Sequence, residues 1–305
     1  MSRYPNSLDE DGVREVWVKE NSGSDFVQTV NAYGGERKIK VPAGLFTIPA
    51  DLTIYKGLSY VIEGRGTKLN RYDITGSSSL AMKPTILYFE GVDLLDDSDG
   101  VWNNGWEQLT LKNLAICLKG VGTAKGAINA RCCLHNFDDV IFLIRGSYVD
   151  NAEIMWKRGT GAVGRTAVWR NVVLDVGHTA GLYTTSCRIN FDTFLWQGGG
   201  ILTNITNGIA DTRIMRLETT MGSKVSCIST YREAAETNTL NWFWLTPIDA
   251  ATMPYIFEDI YFYGRADQTD VLHHFQSTEG NCNVRLVGVV GAGAGTLKEL
   301  NITEV

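Results

Sequence analysis

Beyond Gly35 the apolar residues of this chain come in short runs that mostly alternate with polar ones, and almost no ten-residue window keeps a helical period. The runs include Ile39–Val41, Leu52–Ile54, Tyr60–Ile62, Thr85–Phe89, Leu109–Ile116, Val140–Ile144, Val168–Leu174, Arg188–Trp196, Trp242–Leu245, Tyr255–Tyr263 and Val284–Val290. Each is rich in Val, Ile, Leu, Tyr or Phe and is closed by Gly, Asn, Asp or Ser, as short strands between tight turns are. One earlier segment predicts a helix. Ser24 can cap it, Asp25 suits its first turn, Phe26, Val30 and Tyr33 share a face, and Gly34-Gly35 ends it.

The strand runs repeat. A small polar or acidic unit precedes an apolar pair in Lys112-Asn113-Leu114-Ala115-Ile116, Asp138-Asp139-Val140-Ile141-Phe142, Arg170-Asn171-Val172-Val173-Leu174 and Glu258-Asp259-Ile260-Tyr261-Phe262. Phe191-Asp192-Thr193-Phe194-Leu195 is a looser copy, and the gap from 192 to 259 leaves room for about three more units. An imperfect repeat of roughly 20–30 residues, with insertions, predicts a solenoid. Each turn of chain lays down short strands, and successive turns stack strand on strand about 4.8 Å apart. Asn or Asp at a corner tolerates left-handed backbone, and the apolar residues that follow alternate between core and solvent. Insertions such as 144–165 leave as loops. An antiparallel sandwich or barrel would instead need Asn-Gly or Asp-Gly hairpins every 8–12 residues. Those pairs occur at 104–105, 207–208, 11–12 and 99–100, where they join no matched strands.

Composition narrows the function classes. Lys plus Arg is 28 against 34 for Asp plus Glu, a formal charge of −6, so no nucleic-acid partner is expected. No apolar run is long enough to predict a membrane span. The polar, acidic start MSRYPNSLDEDG does not read as a signal peptide; either secretion by that route is not expected or a leader has been removed. Cys117, Cys132, Cys133, Cys187, Cys227 and Cys282 have no CxxC spacing, and the four histidines form no zinc pattern, so buried free thiols and no metal or cofactor are expected. No linker divides the chain. The expected organisation is an N-terminal segment (1–23), one repeat domain (24–290) and a C-terminal tail (291–305).

The opening of the domain carries a resemblance. A helix from Ser24-Asp25-Phe26 is followed by Ile39-Lys40-Val41-Pro42-Ala43-Gly44-Leu45-Phe46-Thr47-Ile48, with Pro42-Ala43-Gly44 turning the chain between two strands. Leu52-Thr53-Ile54 and Tyr60-Val61-Ile62-Glu63-Gly64-Arg65-Gly66-Thr67 come next. As a set these resemble the N-terminal entry of the pectate-lyase-like superfamily, the right-handed parallel β-helices, and the repeated corner units extend the likeness more loosely to about residue 290. The resemblance implies an all-β, single-stranded parallel β-helix with a short capping helix over the end of its core. It is most similar to bacteriophage tailspikes and tail fibres, which implies a homotrimeric virion protein that binds bacterial surface polysaccharide, sometimes cleaves it, and docks on other virion proteins. A secreted, monomeric polysaccharide lyase or glycoside hydrolase is the alternative, with an extracellular location. A purely structural β-helix is the third reading.

Candidate chemistry is thinner. Carbohydrate binding would use aromatic platforms and carboxylates, and the densest stretch of both is 93–106, with Asp96, Asp97, Asp99, Trp102 and Trp106. Aligned as a calcium loop it puts Leu95 and Trp106 where ligands are required. Trp156, with Lys157 and Arg158, and Tyr231-Arg232-Glu233 mark two further exposed loops, one of which could overhang a groove. Trp169, Trp196, Trp242 and Trp244 sit inside strand runs and are expected to pack. Asp138-Asp139, His178 and Arg188 follow the order of the polygalacturonase motifs faintly. Thr179 and Asn190 depart from that pattern, and Asp139 falls on a repeated corner where a structural role suffices. Catalytic residues are not identified by the sequence.

Overall fold

The computed structural model describes residues 14–19, 22–35, 37–54, 59–66, 84–92, 94–96, 108–120, 128–129, 134–146, 154–157, 166–177, 185–203, 212–219, 222–232, 240–246, 254–263, 271–277, 282–291 and 299–305. The described residues form a parallel β-solenoid with one helix. Every strand ladder is parallel, which removes the antiparallel sandwich. The largest sheet has 13 strands, among them Lys38–Lys40, Ser59–Glu63, Gln108–Gly120, Leu134–Gly146, Thr166–Val176, Thr193–Thr203, Ser223–Arg232, Tyr255–Tyr263 and Cys282–Val287. A six-stranded sheet runs through Ile154–Lys157, Thr185–Phe191, Thr212–Thr219, Leu240–Leu245, Val271–Ser277 and Glu299–Leu300. A three-stranded sheet joins Leu52–Ile54, Leu94–Asp96 and Ile128–Asn129. The chain therefore passes from one sheet to the other and back on each turn. Glu15–Trp17 and Ile302–Glu304 extend the large sheet beyond the expected repeat domain at its two ends.

The large sheet is creased along one line. Asn113, Asp139, Asn171, Gly198, Cys227, Asp259 and Gly288 align across its strands, and all have positive φ, from 52° to 76°. An L-residue pays about 1–2 kcal/mol for that conformation, and Asn, Asp and Gly pay least. Four of these corners are the Asn or Asp of the repeated unit. Asp192 is not one of them. It is buried where Thr185–Phe191 of the six-stranded sheet gives way to Thr193–Thr203, and the true corner of that turn is Gly198. Between 192 and 259 lies one further crease residue, Cys227, which the repeat pattern does not reveal. Side chains also bridge the line, as Asn171 Nδ2 donates to Asp139 Oδ1 at 2.9 Å. The crease splits the sheet into an upstream and a downstream face.

The break at Pro42-Ala43-Gly44 is a corner of the first turn, between Lys38–Lys40 and Gly44–Ile48. The helix spans Gly23–Tyr33, and Ser22 rather than Ser24 caps it by accepting from the Asp25 N–H at 3.1 Å. Phe26 and Val30 are buried against the end of the core, whereas Tyr33 lies outside with the Arg37 guanidinium over its ring. Gly34 closes the helix by donating to the Val30 carbonyl.

Inside, like residues stack in columns. Leu111, Phe137, Trp169, Trp196, Val225 and Phe257 form one upstream column, with the two indoles 5.5 Å apart. Ile116, Phe142, Leu174, Ile201, Thr230 and Phe262 form a downstream one. Strands of the six-stranded sheet give two consecutive side chains to the core. Trp242 meets Phe262 at 6.0 Å and Phe243 meets Phe257 at 5.0 Å, so the chain bends inside that strand. Strict alternation also fails on the downstream face. Ile86, Ala115, Cys117 and Leu143 form a second buried apolar cluster apart from the main core. The stretch 144–165 is more than an insertion, since Ile154–Lys157 begins the six-stranded sheet.

Cys227 holds a left-handed position without the side chain that suits it. Cys227→Asn is expected to stabilise the fold by about 0.5–1 kcal/mol, and Asn113→Val to destabilise it by about 1–2 kcal/mol, both read from urea midpoints. His135 lies in the core beside Phe137 and Phe191, and burial pushes its pKa down to about 3. The unfolded chain takes up a proton near 6.5 that the folded chain refuses, so stability is full above that pH and declines as pH falls towards 3. Between pH 7 and 5 the loss is about 2 kcal/mol. His135→Leu should remove that part of the pH dependence in parallel unfolding titrations.

Candidate functional site

The sequence candidates fall largely outside the described residues. Asp97, Asp99, Trp102 and Trp106 are not among them. The backbone of Asp96 pairs with Ile54 and that of Trp156 with Ile189, with both side chains outside the described set. His178 also lies outside it, as do the side chains of Arg188 and Asn190. Asp139 sits on the crease at φ 52° and bonds to Asn171, which is the structural role the repeat suggests. The described tryptophans of the strand runs are not sugar platforms. Trp169, Trp196 and Trp242 are core residues, and Trp244 is buried.

Three outer surfaces bring chemistry together instead. On the downstream face, the strand Tyr255–Tyr263 crosses the crease at Asp259 and then alternates. Ile260 and Phe262 point into the core, leaving Tyr261 and Tyr263 outside, 43% and 53% exposed. Their rings stack with centroids 6.3 Å apart and planes 24° from parallel. Tyr231, 44% exposed, lies in register with Tyr263 on the neighbouring strand, and Ser229 lies in register with Tyr261. Three phenol rings thus share one rigid sheet surface. Tyr231 belongs to the strand Ser223–Arg232, not to a loop.

On the upstream face a groove of about 270 Å³ runs across three strands. Its outward side chains are Val168 and Arg170, Leu195 and Gln197, and Lys224 and Ser226, which pair off in register. Lys224 Nζ is 2.7 Å from Glu258 Oε2, and Arg170 Nη1 donates to Asn136 Oδ1 at 3.1 Å. Ser226 donates to the Trp196 carbonyl. The groove adjoins the tyrosines through the crease, because Glu258 and Tyr261 lie on one strand either side of Asp259.

The six-stranded sheet carries the third surface, which is polar and mostly covered. The Arg213 guanidinium lies over the Trp244 ring, 3.1 Å from its centroid. Arg216 Nε is 2.7 Å from Glu218 Oε1 and also donates to Thr246, and the His273 ring nitrogen Nδ1 is 2.9 Å from Asn241 Oδ1. The Glu218 side chain keeps only 5% exposure. The charged groups of this surface are thus engaged with one another, by cation–aromatic stacking and by an ion pair whose carboxylate is nearly buried. Among the described cysteines Cys117, Cys187 and Cys282 are buried, and burial pushes Cys282 up to about 12, whereas Cys227 on the crease is exposed, against the expectation of buried thiols.

The strand that bears Tyr261 and Tyr263 is legible in the sequence, although neither tyrosine is among the sequence candidates. The unit Glu258-Asp259-Ile260-Tyr261-Phe262 places the corner, and alternation from there puts Tyr261 and Tyr263 outside. Comparison with family models and with curated proteins returns no match for this chain.

Removing Arg216 leaves the Glu218 carboxylate nearly buried without its guanidinium. Arg216→Met is expected to cost about 2 kcal/mol, with the melting temperature and urea midpoint falling together.

Proposed function

We propose that this protein binds a glycan on the outside of its solenoid. The tyrosine surface carries the reading. Large aromatic rings held out in water on a rigid sheet mark a recognition surface. A phenol ring offers an apolar face to the apolar face of a pyranose and a hydroxyl to its rim, at little cost in side-chain freedom. Two stacked tyrosines and a third in register on the next strand make a platform longer than one sugar, which suits a polymer.

The biological setting follows from the sequence resemblance, with the parallel solenoid and its helical cap in support. The protein is a bacteriophage tailspike- or tail-fibre-type adhesin of the pectate-lyase-like group, a homotrimer carried on a virion that docks on bacterial surface polysaccharide. Glycan arrays of bacterial polysaccharides test the binding, and light scattering tests the assembly. Wild type is expected to bind a restricted set of polysaccharides as a trimer. Tyr261→Ala/Tyr263→Ala should weaken binding about 10- to 100-fold without lowering the melting temperature. A trimer that binds no polysaccharide would favour the purely structural role. A monomer that releases new reducing ends without unsaturation would favour a secreted hydrolase, and one that releases new reducing ends together with unsaturated sugars a lyase.

A further inference from the structure

The groove on the upstream face differs from the tyrosine platform in its chemistry. Its floor has an apolar strip, Val168 and Leu195, with Leu195 40% exposed. Beside the strip runs a polar row, Arg170, Gln197 and Ser226, on successive strands. Lys224 closes the far end of the apolar row. The two cations are not equivalent. Lys224 is held by Glu258 at 2.7 Å, so its charge is largely balanced. Arg170 is exposed and gives one N–H to a neutral carboxamide, Asn136 Oδ1. Asp138 shares its strand pairing but makes no salt bridge with Arg170 among the described contacts. A guanidinium has five N–H donors in a planar fork, so Arg170 keeps most of its capacity for an anion. Gln197 can both donate and accept, and the Ser226 oxygen retains acceptor capacity.

We infer that this groove binds an anionic unit of the glycan, with Arg170 gripping the charged group, Gln197 and Ser226 meeting hydroxyls, and Leu195 under the ring. Carboxylate and sulfate or phosphate groups share this chemistry. The inference rests on the glycan reading above and adds to it the charge class of the ligand and a second subsite. Because Glu258 ties Lys224 to the strand that presents Tyr261 and Tyr263, one polymer can cross the crease and occupy both surfaces.

The test uses the full chain on surfaces bearing hyaluronan (carboxylate), heparin and dextran sulfate (sulfate), dextran (neutral) and the bacterial polysaccharides bound by wild type. Anionic glycans should dominate the wild-type hits, and their binding should weaken as salt rises from about 0.05 to about 0.3 M. Arg170→Gln should weaken anionic hits about tenfold or more and leave neutral ones within about twofold, at an unchanged melting temperature. Lys224→Met should have the smaller effect. A stronger response to carboxylate than to sulfate probes, or the reverse, identifies the group. If wild type binds glycans through the tyrosines while Arg170→Gln and Lys224→Met change nothing, the groove inference is overturned and the glycan reading stands. If neither variant nor wild type binds any of these surfaces, both readings fall together.

Discussion

Everything in this molecule hangs on one backbone conformation repeated along a line. Seven residues from Asn113 to Gly288 take left-handed φ in register, and each turns the chain from the upstream face to the downstream face. Without that bend a strand of the length of Leu134–Gly146 would run straight and could not wrap a core. Because the bend recurs at the same register, the residues either side of it stack on their counterparts in the next turn. Those stacks are the core columns, and the same register lines up the outer columns that make the surfaces.

Stacking in register has an electrostatic consequence on the outside. An outer column repeats every 4.8 Å or so, close enough for like charges to oppose one another. The upstream column next to the crease reads Lys40, Glu63, Lys112, Asp138, Arg170, Gln197, Ser226 and Glu258. Signs alternate up to Arg170, and Lys40 and Lys38 both pair with Glu63. The alternation stops after Arg170, where neutral Gln197 and Ser226 follow. The groove lies at that interruption. The platform has a similar origin. Downstream outer positions that are buried at Ala115, Cys117 and Leu143 become exposed tyrosines at Tyr231, Tyr261 and Tyr263. One architecture thus carries a covered outer surface at one end and open ones further along.

Much of the fold was legible because its determinants are local. Asn113, Asp139, Asn171 and Asp259 announce their own conformation, since few side chains tolerate it, and the alternation after each one follows from the two-residue period of a strand. Where the corner residue is Gly198 or Cys227 the announcement is lost. Glycine is common throughout the chain, and cysteine has no turn preference. Asp192 therefore offers a false corner, and Ser223–Arg232, which bends at Cys227, leaves no mark among the sequence runs, while Thr212–Thr219 and Val271–Ser277 lie in the six-stranded sheet, which the crease does not cross. The helix was legible by its apolar face, while its cap shifted from Ser24 to Ser22, two serines with equal claims on local grounds.

The sequence by itself determined a parallel solenoid, its cap and its first corner, because propensity, alternation and turn chemistry act within a few residues. Which side chains share an outer surface was decided only by tertiary structure. Arg170, Gln197 and Ser226 belong to three strands, 27 and 29 residues of chain apart, and meet because the register of the ladders places them side by side, as it places Leu195 beside Lys224. Tyr231 and Tyr263 meet for the same reason. Register is a collective property of the whole stack, set by how the core columns interlock, and no single stretch of sequence encodes it.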